Sequence, residues 1–170
     1  IVFTSFNFLR SGTTGLTAQA HGAEDRTEVD AAFFRALIVA VAIGLAVVVL
    51  KDFILGGALF LMGGSEAVHE ATRTYYGIRV LGTPMALANY VILGWLIGLG
   101  RAGLALLLQT VLNGVNIPLS IALVLGLDYG IAGVAWASFA AETVTAIVGF
   151  VVAFLLINRA ALPHRGVVLE

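Results

Sequence analysis

Five apolar stretches, each about as long as a bilayer is thick, leave this chain little choice of fold. They run over residues 1–20, 33–55, 75–99, 102–124 and 131–157, with short connections between them. About 20 residues rising ~1.5 Å each carry a helix across a hydrocarbon core of roughly 30 Å. Lipid offers no hydrogen bonds, so every backbone N–H and C=O must be satisfied within the spanning structure. The expected class is therefore all-α, a polytopic membrane bundle of about five transmembrane helices, with neighbours in sequence packed antiparallel. Composition agrees. Charged residues make up 11% of the chain and the mean hydropathy is +1.03, whereas a soluble domain carries about 25% charged residues.

Most of the lysines and arginines lie near the ends of the stretches. Arg26, Arg35, Arg101, Arg159 and Arg165 fall on one side, Lys51 and Arg73 on the other. The positive-inside rule makes the first side cytoplasmic. Helical rather than barrel spans point to an inner, cytoplasmic-type membrane. The net charge is −1 and no basic run occurs, so nucleic acid is not an expected partner. Without cysteine there is no disulfide framework or thiolate metal site, and three scattered histidines make no metal cluster. No cofactor is expected. Ile1 opens inside an apolar run with no charged region ahead of it. That reads as an internal fragment with at least one helix missing upstream, not as a signal peptide. Enzyme signatures are missing as well. His69-Glu70 is followed by Arg73 where a zinc protease helix needs a second histidine. There is no nucleophile elbow and no P-loop, and Gly63-Gly64-Ser65 reads as a turn.

The apolar stretches carry polar stripes. Gln109, Asn113, Asn116 and Ser120 are spaced four, three and four, which puts all four on one face of a helix. Arg10, Thr14 and Thr17 share a face of the first stretch, with Thr13 at its margin. Tyr75, Arg79, Thr83, Ala86 and Tyr90 share one of the third, and Ser138, Glu142 and Thr145 one of the fifth. Such faces must look at another helix or a wet cavity. Depth counting puts Tyr75, Ser120 and Ser138 together in the outer half of the bundle. Hydroxyl and amide oxygens suit a hard cation such as sodium, or a proton relayed through a carboxyl and water.

Each signal also has a plainer reading. Membrane Ser and Thr often return a hydrogen bond to their own helix, and a membrane Asn is often interhelical glue. Arg79 lies close enough to the outer end to snorkel. Glu142 is either paired structurally, for example with Arg10, or is a protonatable functional carboxyl. Pro118 predicts a kink beside the stripe. Gly94-Trp95-Leu96-Ile97-Gly98 fits a close-packing GxxxG.

The run Phe8-Leu9-Arg10-Ser11-Gly12-Thr13-Thr14-Gly15-Leu16-Thr17-Ala18-Gln19-Ala20-His21-Gly22 resembles the second-helix signature of multidrug and toxic compound extrusion transporters, most closely their DinF-like branch. Later segments agree in order: Gly63-Gly64-Ser65-Glu66-Ala67-Val68, Ile78-Arg79 with Pro84, and Leu93 to Gly98. Asn113-Gly114-Val115-Asn116-Ile117-Pro118-Leu119-Ser120 resembles the fifth-helix motif, and Gly133-Val134-Ala135-Trp136-Ala137-Ser138 that of the sixth. The resemblance implies helices two to six of the amino-terminal lobe of a twelve-helix, two-lobe fold. It further implies export of organic cations and other amphipathic drugs against a proton or sodium gradient. By motif Asn116 takes the place of the family's ion-site Asn, Ser138 that of its Thr and Tyr75 that of its Tyr. Ser120 stands where an Asp is expected, and the helix-one Asp lies outside the chain. Since Ser120 holds no charge, the expected cation or proton site is Asn116, Ser120, Ser138 and Tyr75 with Glu142 as the remaining acid. Gln109, Asn113, Arg79, Thr14 and Thr17 are expected to line the cavity. The expected partners are an amphipathic small molecule, membrane lipid, and the first helix and second lobe of the same protein. A flippase for lipid-linked precursors, from the same superfamily, and a non-transporting membrane subunit or remnant are the competing readings.

Overall fold

A computed structural model describes residues 6–63 and 65–161. The first five residues of the first expected span, and Arg165 of the charge count, lie outside the described residues. The helices are α1 (Asn7–Gly22), α2 (Arg26–Val49), α3 (Lys51–Met62), α4 (Glu66–Arg79), α5 (Thr83–Gly98), α6 (Ala102–Ile121) and α7 (Gly130–Ala161). A 3₁₀ turn, Val80–Gly82, joins α4 to α5, and a π turn, Ala122–Gly126, extends α6. Among the described residues, four helical stretches are long and apolar enough to cross a membrane: residues 26–49, 66–98, 102–126 and 130–158.

Helix α5 is the axis of the bundle. Its sequence is apolar on all sides, which marks a helix with neighbours all round. Leu87, Val91, Ile92, Leu96 and Trp95 are buried. Around α5 stand α1, α2 and α7, with α6 laid against α7. The Phe33 ring of α2 meets Trp95 at a centroid distance of 4.9 Å, while α6 contributes Leu108 and α7 contributes Ala153 to the same core. Glycines bring α1 and α5 close. A Cβ at Gly94 would lie 2.5 Å from the Arg10 carbonyl oxygen, and one at Gly98 would lie 2.6 Å from Thr17 Cβ. The outside is apolar: Phe53, Phe60, Val49, Leu125 and Ile38 are largely exposed. Water would not tolerate so much exposed apolar surface on one monomer, but lipid does.

The connections are built from local chemistry. Glu24, at φ 58°, ends α1 in the left-handed region. Asp25 N–H then reaches back to the Ala20 carbonyl at 3.0 Å and Glu24 N–H to His21 at 3.1 Å, a Schellman closure. The Asp25 side chain next accepts the Glu28 N–H at 3.0 Å, so one residue closes α1 and caps α2. Replacing Asp25 by Ala should cost about 1 kcal/mol, read as a lower thermal midpoint of the purified protein; an unchanged midpoint would count against the cap. At the other end of the bundle, Arg101 N–H bonds to Leu96 O at 2.8 Å and Gly100 N–H to Ile97 O at 2.9 Å. Gly100 sits at φ 71°, where glycine carries no Cβ penalty.

Helices run further than the apolar stretches. α2 begins at Arg26, inside a segment whose charges mark it as too polar to span. Residues 51–62, half of which read as a linker, form α3, and residues 66–74 continue helically into α5 through α4 and the 3₁₀ turn. Polar residues show where hydrocarbon ends, not where a helix ends. Gly56 and Gly57 cost a helix only about 1 kcal/mol each relative to Ala, which Ala58 to Met62 absorb. The α2–α3 break falls at Leu50, immediately before Lys51-Asp52.

Candidate functional site

Hydrogen bonds between side chains join α6 to α7 and α4 to α7. On α6, Asn116 Nδ2 donates to Ser138 Oγ of α7 at 3.1 Å. One turn further along α7, Glu142 receives two hydrogen bonds from Arg79 at the end of α4. Nη1 donates to Oε2 at 2.7 Å, and Nη2 to Oε1 at 2.6 Å. This is a two-pronged guanidinium–carboxylate pair, the geometry arginine is shaped for. Its side chains are 15% and 11% exposed, so each partner needs the other. The Tyr75 phenol, one turn before Arg79, also bears on the guanidinium.

The chain makes room for the pair. A Cβ at Gly82 would lie 2.9 Å from Glu142 Oε2, so a residue without a side chain lets the carboxylate approach the 3₁₀ turn. Asn89 of α5, itself buried, donates from Nδ2 to the Glu142 main-chain carbonyl at 2.9 Å. That bond fixes α5 against α7 at the level of the ion pair. Asn89 was not singled out in the sequence, although it is an amide in the middle of the most apolar helix. Thr145, one turn past Glu142, is buried with its hydroxyl unpartnered.

The structure sorts the remaining sequence candidates. Glu142 takes Arg79 as its partner, from a different helix than the Arg10 that pairing arguments offered, and Arg79 reaches inward to do so instead of snorkelling. Along α6, Asn116 and Ser120 are half-buried, whereas Gln109 and Asn113 are exposed on the side turned away from the described bundle. Thr14 bonds to Arg10 O at 2.8 Å and to Gly94 O at 3.1 Å. Thr17 is fully buried against Gly98. Both threonines therefore stand in the α1–α5 seam, as does Thr13, which returns its hydroxyl to Leu9 O at 2.6 Å. Pro118 lies inside α6, two residues past Asn116, and the helix loosens into the π turn beyond it.

The MatE family profile matches residues 1–122. DNA damage-inducible protein F of Escherichia coli (strain K12) is 40% identical over 166 residues, covering 98% of this chain and 35% of that protein. The chain belongs to the MatE family. Solved MatE structures agree with the fold. One described as the outward-facing conformation of a multidrug resistance MATE family transporter of the MOP superfamily superposes with a TM-score of 0.81 at 25% identity, over 91% of this chain and 34% of that one. A crystal structure of MATE in complex with MaL6 gives 0.84 at 25% identity, over 93% and 35%. A MOP superfamily transporter from Pyrococcus furiosus gives 0.81 at 25% identity, over 91% and 34%. The chain thus spans about a third of the length of these MatE relatives. Two of the solved structures are described as transporters, and this MatE chain is an integral membrane protein with several helices long and apolar enough to span.

Proposed function

We propose that the protein containing this MatE segment is a proton- or sodium-coupled antiporter that exports amphipathic organic cations and drugs across a cytoplasmic-type membrane. The observation that carries the reading is the Asn116–Ser138 contact, which joins two motif residues from different helices inside an apolar bundle. With Nδ2 donated to Ser138, the Asn116 carbonyl oxygen is left to face a cation, and the hydroxyls of Ser138, Ser120 and Tyr75 are further hard oxygen donors. Glu142, one turn along α7 from Ser138 and held by Arg79, is the acid nearest this site. Gln109, Asn113 and Arg79 are polar walls of the route. A first helix and a second lobe of the same protein would cover the exposed face of α6, and alternating access would rock one lobe against the other. Thr14 and Thr17, committed to a packing seam, contribute least to this reading. A flippase of lipid-linked precursors would favour a more cationic cavity, and the pairing of Arg79 with Glu142 removes one of the two arginines that reading relies on.

The test is gradient-driven efflux of a fluorescent organic cation from proteoliposomes holding the native polypeptide. Asn116→Ala and Ser138→Ala should each lower the coupled rate about tenfold, the loss of roughly one charge-assisted contact. Collapsing either the proton or the sodium gradient in turn identifies the ion. Unchanged efflux in both variants would sink the ion site.

A further inference from the structure

The half-helix α4 is held differently from the rest of the bundle. No residue of Glu66–Arg79 is buried, whereas most of α5 is. The α5 end of the joint is pinned, since a Cβ at Gly44 of α2 would lie 2.6 Å from Pro84 Cα. The joint itself is weakly bonded. Thr83 N–H turns to Val80 O in 3₁₀ fashion, and Pro84 has no N–H to offer the preceding turn. What ties α4 to α7 beside this joint is the two-pronged Arg79–Glu142 pair, with Gly82 leaving space for it.

Register connects the pair to the proposed ion site. The connections α5 to α6 and α6 to α7 are short, so α4, α5 and α7 all run the same way through the membrane. Tyr75 lies four residues before Arg79 and Ser138 four before Glu142, each about 6 Å outward of the pair at ~1.5 Å per residue. Tyr75 is thereby level with the Asn116–Ser138 contact. We infer that Arg79 and Glu142 form a charge latch that holds α4 against α7, and so sets the position of Tyr75, and that a proton taken up by the Glu142 carboxylate opens it. The proton comes from water in the cavity and ends on Glu142; Arg79 keeps its charge. An arginine without its counter-ion does not stay in hydrocarbon. Its long side chain swings outward by about one turn to the interface, and α4 pivots with it at Val80–Gly82. The charged group facing the Glu142 carboxylate is Arg79 of α4, whose guanidinium Tyr75 also meets, and the neutral Asn89 of α5 holds the Glu142 main-chain carbonyl; α6 carries no charged residue, and α7 carries none besides Glu142 until Arg159. Arg79 and Glu142 are positioning residues here, and the role of Tyr75 rests on the ion site proposed above.

The latch is testable without a transport assay. With any cysteine outside this chain replaced by serine, spin labels at Thr74→Cys and Val134→Cys, both exposed, report the α4–α7 distance in the native polypeptide in nanodiscs. The expected result is one narrow, short distance at mildly alkaline pH and a second population several ångströms longer at mildly acidic pH. Glu142→Gln should show the longer population at both, and the exchanged pair R79E/E142R should restore the short one at alkaline pH. A wild-type distribution that ignores pH overturns the latch whether or not the variants fold, and so does a Glu142→Gln distribution matching alkaline wild type. If the distances respond while Asn116→Ala leaves efflux unchanged, the latch stands and the ion site falls; the reverse pattern removes the latch alone.

Discussion

Replacing Gly94 and Gly98 together by leucine should abolish the folded bundle, the larger of the effects expected from any pair of apolar substitutions in this chain. In lipid there is no hydrophobic drive to bring two helices together, so α1 and α5 associate through close packing. The space is already used. A Cβ at Gly94 would meet Arg10 O at 2.5 Å and Thr13 Cβ at 3.1 Å; at Gly98 it would meet Thr17 Cβ at 2.6 Å and Thr14 O at 2.9 Å. Two of these obstacles are backbone carbonyls, which cannot rotate away. Overpacking costs about 1–3 kcal/mol per site even where neighbours adjust. Here the helices must separate, which also removes the Thr14–Gly94 hydrogen bond and uncovers Thr17. The total approaches the ~5 kcal/mol at which marginal proteins unfold. The check is thermal unfolding and size-exclusion behaviour in detergent, with Gly103→Leu as control, since nothing lies within 4 Å of a Cβ there. A double variant that melts with the wild type would mean the seam does not hold the bundle.

The parts of this structure that lipid dictates were legible in the sequence; the parts that depend on register between distant helices were not. Apolar stretches of membrane length announce their helices because nothing else satisfies the backbone in hydrocarbon. The GxxxG at Gly94 and Gly98 was readable as a packing seam for the same reason. Asn116 and Ser138 carried family motifs, so their meeting was foreseeable. Arg79 and Glu142 were each conspicuous as charges in apolar surroundings, but no periodicity within one helix says which distant helix supplies the counter-ion. Arg10 was the partner the sequence suggested for Glu142, and only the packing of α4 against α7 gives that place to Arg79. Asn89 escaped notice because a lone amide forms no stripe. The helices extend past the apolar stretches at residues 26–30 and 66–74, where charge marks the end of hydrocarbon and not of the helix, and at 56–62, where Gly56-Gly57 looks like a break; Asp25 and Glu28 in fact favour a helix start.

Removing either partner of the Arg79–Glu142 pair should be far more damaging than removing both. Arg79→Leu leaves a carboxylate 11% exposed without its partner, and Glu142→Leu leaves a guanidinium 15% exposed. Breaking a buried pair from one side costs on the order of 3–5 kcal/mol, while replacing both by apolar residues is often neutral or stabilising. In a four-variant cycle, the doubly substituted R79L/E142L protein should therefore unfold within about 1 kcal/mol of wild type, with each single variant far below it. Denaturant or thermal unfolding of purified protein provides the comparison; single-variant losses that simply add would show that the two side chains do not depend on each other in the folded state. The cycle also separates stability from role. Two leucines would hold α4 to α7 by packing alone and cannot respond to a proton. A doubly substituted protein as stable as wild type but with an α4–α7 distance blind to pH would show that the charges are not needed to build the bundle, and that they serve its movement.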